Sequence, residues 1–414
     1  MILYISHFLQ MAQVKKYMKD KNEILLTIGL FHAFNDGSVV IIPILLPVFK
    51  EMFNLSYTQI GIITGGGFLI TLITQIIVGF SSDKKNRKLL LSSGLLMLSG
   101  SLLIIPYSNS FLTLLFFILI LRFASGFYHP TGVGWVSKIF KKEKLDWAMG
   151  IQSAFGDFGA FVGILTTAFI VEIFGWSFPF YIWSIAGVFC LLVGLYLTRN
   201  NNEYKFNNNK KRNEKIKIKK FLFNEYDILK KIKLFIPAVI ISGASWGIVV
   251  NYLPLLLDER TPLSLSIIGI IVSIWIGIGT IVCIFYGKIS NIFGRKKIVI
   301  ISYFTLASMS FLLMTVTNIF IISLMMIFLG IASFISFPAI FSFISEITDT
   351  AIEGKTFGYI FTFQLGVGTI LLFLSGFTAD IWGIWTPFFI LGLVSLIVGI
   401  LFSINQKKLN PLKS

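Results

Sequence analysis

The chain has 414 residues and a mass of 46.6 kDa; it is 56% hydrophobic, only 13% charged, and carries a formal charge of +16 with a mean hydropathy of +0.85. A soluble domain carries about 25% charged residues, so this chain lacks the polar surface that water would demand of it. Its Lys and Arg residues sit in short clusters between apolar runs, which excludes a basic nucleic-acid-binding face.

The apolar runs are continuous and carry scattered glycines. A helix needs about 20 such residues to cross a hydrocarbon layer about 30 Å thick, whereas barrel strands would alternate in polarity. Residues 1–24 read as a cytoplasmic N-terminal segment: the short apolar stretch is followed, not preceded, by its positive residues, unlike a signal peptide. Six spans are then predicted at 25–48, 60–80, 89–107, 111–137, 149–172 and 177–198. Residues 199–233 form a polar, basic linker, part flexible and part a short amphipathic helix suited to anionic headgroups. Six more spans follow at 234–257, 267–288, 298–316, 319–345, 355–379 and 385–403, with a cytoplasmic tail at 404–414.

With this count, 32 of the 35 Lys and Arg residues fall on the face that carries both termini, only Lys50 and Arg260 on the other, and Arg122 inside a span. The positive-inside rule then predicts a multi-pass protein of the cytoplasmic membrane with both termini in the cytoplasm. The fold class expected is all-α and polytopic: 12 transmembrane helices in two six-helix bundles, 25–198 and 234–403.

The two halves repeat. The run from Gly79 to Lys88 after the second span and the run from Gly287 to Lys296 after the eighth lie 208 residues apart, an offset that also carries the start of the first span to that of the seventh. In these loops the chain resembles the major facilitator superfamily, whose signature reads G-x-x-x-D-[RK]-x-G-R-[RK]. Gly79, Asp83, Lys84, Arg87 and Lys88 match, with Asn86 in place of the usual glycine; Gly287, Gly294, Arg295 and Lys296 match in the second copy, with Asn291 in place of the acid. The first span, LFHAFNDGSVVIIPILLP, and the fourth, RFASGFYHPTGVGWV, are similar to those of the fosmidomycin-resistance-like branch of efflux proteins. The resemblance implies a secondary active transporter with the solute path between two bundles. It implies alternating access, proton-coupled efflux of a small organic solute, and a functional monomer. The alternative is uptake, by symport or uniport, of a polar or anionic metabolite.

Ionisable groups are expensive in lipid and mark pathways. His32, Asn35 and Asp36 share one helical face in the first span. Asp36 is placed to exchange a proton, with His32 as relay or solute contact. Arg122 and Gly126 form an Arg-x-x-x-Gly pattern that the family resemblance ties to proton coupling or substrate contact. Arg cannot shed its charge, so its counterion is Asp36, Asp157 or an anionic substrate. His129 follows on nearly the same face, beside Pro130, which should bend the helix. Gln152 and Asp157 lie in the fifth span, where Gly159 and Gly163 form a GxxxG pair for close helix contact. In the second half Asn251 and Gln364 are the clearest mid-span polar residues, with Trp246, Tyr252, Trp275 and Phe363 as candidate aromatic walls. Asp83, Arg87, Gly287 and Arg295, with Gly79, are assigned to gating, Asp83 as cap of the third span.

No phosphate-binding glycine loop with Lys-Ser/Thr is present, which leaves no visible ATP engine. His7, His32 and His129 show no zinc-ligand spacing, and Cys190 and Cys283 lie inside apolar runs. The expected partners are a small-molecule substrate, protons and membrane lipids, with no cofactor, no metal and no nucleic acid; the chain is not expected to be an enzyme.

Overall fold

The computed structural model describes residues 2–82, 86–140, 142–199, 229–230, 232–348 and 353–405. Among the described residues fourteen α-helices carry the architecture and no strand occurs. In the first half they are α1 (Ile2–Val39), α2 (Ile41–Met52), α3 (Tyr57–Ser82), α4 (Arg87–Ile104), α5 (Phe111–Ser125), α6 (Tyr128–Ile139), α7 (Lys142–Phe174) and α8 (Phe178–Leu197). In the second they are α9 (Ile236–Arg260), α10 (Leu265–Phe293), α11 (Arg295–Leu313), α12 (Ile319–Ile347), α13 (Glu353–Trp382) and α14 (Thr386–Ile404). Among the described residues twelve spans are long and apolar enough to cross a membrane, as predicted, because α1–α2 and α5–α6 each make one broken span. Helices satisfy every backbone group within themselves, which lipid requires.

A proline follows each break by about one turn, although Pro338, the repeat counterpart of Pro130, sits inside a continuous helix. Proline cannot donate to the carbonyl four residues back and its ring crowds it. Pro43 acts on Val39, where α1 ends, and Pro130 acts on Gly126, where α5 ends. The predicted bend at Pro130 is therefore a full interruption one turn earlier, with Gly126 taking the corner against Thr74.

The offset of 208 residues holds through the fold without slippage. It carries Tyr57 to Leu265, Arg87 to Arg295, Phe111–Ile139 to Ile319–Ile347, and Phe178 to Thr386, each a helix boundary in both halves. The first and seventh spans are the most buried and stand at the centre; the sixth is the least buried and turns Ile185, Phe189 and Leu192 outward toward lipid.

The halves meet chiefly along two pairs of helices, α3 with α13 and α7 with α10, and α2 also packs on α9. Small residues allow these approaches: Gly61 faces Gly376, and Gly269 faces Ala168. Gly159 and Gly163 pack α7 onto the Ala33 and Gly37 backbone of α1, within the first half.

The gating loops are seen in part. Asp83 lies outside the described residues, as does the predicted amphipathic helix of the linker. At the start of α4 the Asn86 side chain accepts from the Leu89 N–H at 3.2 Å and caps the helix. Asn is among the strongest N-cap residues, and it stands where the family motif has glycine. Arg87 is buried beside Gly134, and Gly79 lies against Pro130. In the second copy Gly294 takes φ +77° ahead of Arg295, while Gly287 faces open space.

Candidate functional site: a central cavity and a latched face

A cavity of about 220 Å³ lies between the two halves. The first half contributes Asn35, Asp36 and Val39 from α1, Phe68, Thr71 and Gln75 from α3, Arg122 and Ser125 from α5, His129 from α6, and Asp157 and Ala160 from α7. The second half contributes Gly243 and Trp246, Ile276, Phe337, and Gln364 with Leu365. Phe68 and Trp246 approach across the divide with ring centroids 6.2 Å apart.

Asp36 is the centre of the polar wall. Its Oδ2 lies 3.1 Å from His32 Nε2, its Oδ1 lies 3.8 Å from His129 Nε2, and Asn35 donates to Oδ1 at 2.9 Å. The one-turn spacing predicted from sequence delivers His32 and Asn35; the break at Gly126 swings His129 in from the fourth span. His32 Nδ1 donates to the Gln152 carbonyl at 2.7 Å, and its ring stacks on Tyr128 at 4.4 Å with an 18° interplanar angle. The single Tyr128 hydroxyl proton is shared between Gln152 Oε1 at 2.8 Å and the Ile28 carbonyl at 3.0 Å. Gln152 is thus buried behind His32 and positions it without lining the cavity. Gly156 is required there: a methyl at its Cβ would lie 2.5 Å from His32 Cε1.

Arg122 is buried, packs against Gly67, and lies 5.4 Å from the Phe68 ring centroid. Among the described residues no carboxylate comes within ion-pair distance, 4.0 Å, of its guanidinium. The two protein counterions entertained from sequence, Asp36 and Asp157, therefore make no contact ion pair with it. Asp157, half-buried in α7, has no hydrogen-bond partner among the described residues.

Other predicted residues divide. Gln364 and Trp246 line the cavity. Asn251 does not: it is fully buried, with its amide donating to the Gly247 carbonyl at 2.7 Å inside its own helix. Tyr252 donates to the Leu372 carbonyl, Trp275 to Ser333, and Phe363 lines a small separate apolar hollow.

The sequence reading missed the contacts that close the face opposite the termini. Glu172, at the end of α7, accepts from the Ser266 backbone N–H and hydroxyl at the start of α10, both at 2.7 Å. Asp380, at the end of α13, accepts from the Tyr57 and Thr58 N–H groups at the start of α3, both at 2.7 Å. A carboxylate on a helix N-terminus satisfies orphan donors and complements the dipole. Glu172 and Asp380 are related by the repeat offset, as are Thr58 and Ser266, so each half latches the other in the same way. Tyr57 also bonds Glu259 across the halves. The offset was legible in the sequence and was the one signal able to pair these acids.

Two repeated helical halves around a central cavity, latched at one face, have the architecture of a membrane transporter. The model of the Major Facilitator Superfamily matches residues 25–372 and 238–413, and the chain belongs to that family. Over 388 residues it is 26% identical to the uncharacterized MFS-type transporter MJ1560 of Methanocaldococcus jannaschii, covering 92% of this chain and 97% of that one. It is 28% identical over 152 residues to the fosmidomycin resistance protein of Escherichia coli, a match that spans 37% of each chain. The crystal structure of a bacterial homolog to the human lysosomal transporter Spinster, inward-facing and unoccupied, superposes with a TM-score of 0.73 at 15% identity, over 94% of this chain and 98% of that one. The protein is a multi-pass membrane transporter and not an enzyme.

Proposed function

We propose that the protein carries a small organic anion across the cytoplasmic membrane, coupled to protons, with both termini in the cytoplasm and each monomer a complete carrier. One observation carries this reading: Arg122 stands buried at the cavity wall with no carboxylate of the described residues in contact, although two carboxylates line the same cavity. A permanent cation held this way is stable only in a polar cavity or with an anion delivered to it. The volume suits a small metabolite, since sites for drug-sized ligands start at about 300 Å³.

Electrostatics sets the sign of coupling. Asp36 is near enough for its field to act on Arg122. Neutralising Asp36 or Asp157 makes the cavity more positive and favours an anion, so proton and solute bind cooperatively and travel together. This supports symport over the exchange expected from the sequence. Efflux by exchange remains the second reading, favoured by the partial likeness to the fosmidomycin resistance protein. With the termini inside, the Glu172 and Asp380 latches close the outer face, and the state described is inward-facing.

The test is reconstitution in liposomes containing a pH-sensitive dye, with phosphonates, carboxylates, sugars and lipophilic cations offered in turn. Anion-dependent acidification on the side to which the anion moves supports symport. Proton movement opposite to the anion establishes exchange, and flux of sugars or cations alone removes the role given to Arg122.

A further inference from the structure

Two imidazoles and one carboxylate converge on the cavity wall. The ligating atoms of His32, Asp36 and His129 all lie within 4.8 Å of one another. Nε2 of His32 is 3.1 Å from one carboxylate oxygen and Nε2 of His129 is 3.8 Å from the other. A tetrahedral zinc ion with bonds of about 2.0–2.2 Å holds neighbouring ligand atoms about 3.4 Å apart, so only small side-chain adjustments separate this cluster from a coordination sphere.

Further observations distinguish it from an ordinary ion pair. Nε2 of His32 is buried against the carboxylate, 3.1 Å from its nearer oxygen. The opposite nitrogen, Nδ1, is held by the Gln152 carbonyl at 2.7 Å. A carbonyl only accepts, so Nδ1 carries a proton, and whenever the ring is neutral its lone pair is on Nε2; this outer-shell hydrogen bond is the one that metal-ligating histidines use to fix tautomer and orientation. Tyr128, stacked on the same ring, and Asn35, bonded to the carboxylate, immobilise the other parts. Access is open as well: the His129 side chain is 42% exposed, and both it and Asp36 line the cavity.

We propose that His32, Asp36 and His129 form a three-ligand site for a first-row divalent transition metal of the zinc type, with the fourth position facing the cavity. Two nitrogen donors and one carboxylate match the donor set of open zinc sites and disfavour magnesium or calcium, which take oxygen ligands. An ion there occupies the groups assigned above to proton handling and arrests the carrier. The site itself rests on geometry and is independent of the direction of transport.

The purified, chelator-treated protein in detergent is titrated with Zn2+ by calorimetry and with Co2+ by its visible ligand-field bands. One ion per chain is expected, with tetrahedral-type Co2+ bands. Affinity should fall more than tenfold in His129→Gln, about the least that loss of an outer-shell partner alone produces, and again in His32→Gln. His129 is half-exposed, so its variant decides the matter should His32→Gln disturb packing. Asp157→Asn should bind the ion as the native chain does while losing proton coupling, which separates failure of this site from failure of the transport reading. Absence of saturable binding by the native protein overturns the proposal, as does equal affinity in His129→Gln.

Discussion

The two halves of this molecule share one backbone plan and divide the chemistry unequally. At the repeat offset, Asp36 corresponds to Ala244, His32 to Ile240, Arg122 to Gly330, His129 to Phe337 and Asp157 to Leu365. His129, Asp157, Phe337 and Leu365 all line the cavity, so the same positions face it from both sides, polar in one half and apolar in the other. Duplication kept the helix boundaries and the carboxylate latches, because those hold the bundles together. Cavity positions carry no such burden and were free to diverge. A carrier gains from this: an ionisable wall binds charge, and an apolar wall facing it supplies shape and keeps the dielectric low around those charges.

The largest effect expected is at Asp36. Asp36→Asn should lower anion-dependent proton flux by at least about 100-fold, the low end of what a positioned proton acceptor contributes, while Ala244→Ser at the matching position leaves flux near the native value. Comparable losses from both would break the division of labour. Next comes Arg122→Gln, which should raise the half-saturating anion concentration about 10- to 100-fold, the loss of one or two hydrogen bonds from a charged donor. Its counterpart behaves differently: a Cβ at Gly330 would stand 2.5 Å from the Trp275 carbonyl oxygen, so Gly330→Ala should lower the melting temperature through overpacking and leave selectivity unchanged.

The latches should respond alike because they are alike. Glu172→Gln and Asp380→Asn each remove a charge from a helix N-terminus, an interaction worth about 0.3–1 kcal/mol near the surface. Each should shift the population toward opening of the latched face a few-fold, measured by spin-label distances across that face, and the double variant should shift it by about the product. A strong effect from one alone would mean that the latches are not equivalent. The smallest effect expected is from Asn251→Ala, which should change transport less than about twofold: its amide is spent on its own helix, and a residue outside the site has small influence.

Much of the fold was legible because lipid imposes a local rule. Span number, the even count and the 208-residue repeat follow from apolar length and loop charge, neither of which depends on tertiary contacts. Within the site, His32, Asn35 and Asp36 were legible because helical spacing alone puts them on one face. Gln152, by contrast, turned out to stand behind His32, since nothing in local spacing tells which polar group of a helix faces the cavity and which faces a neighbour. Asn251 was misplaced for the same reason. The cap made by Asn86 was not read from the sequence, because capping depends on backbone direction at one residue. Phe68, Gln75 and Phe337 were missed since apolar or amide residues in spans give no signal of their own until the bundles are assembled.

The sequence by itself determined that this is a twelve-span helical membrane protein of two repeated halves, because a hydrocarbon slab allows few ways to satisfy a backbone and hydropathy reports them directly. Only the tertiary structure decided that no carboxylate of the described residues contacts Arg122, that His129 joins Asp36 across two helices, and that Glu172 and Asp380 close one face. Those facts depend on distances between side chains far apart in the chain, set by where Pro43 and Pro130 break their helices and how closely the glycines let neighbours approach.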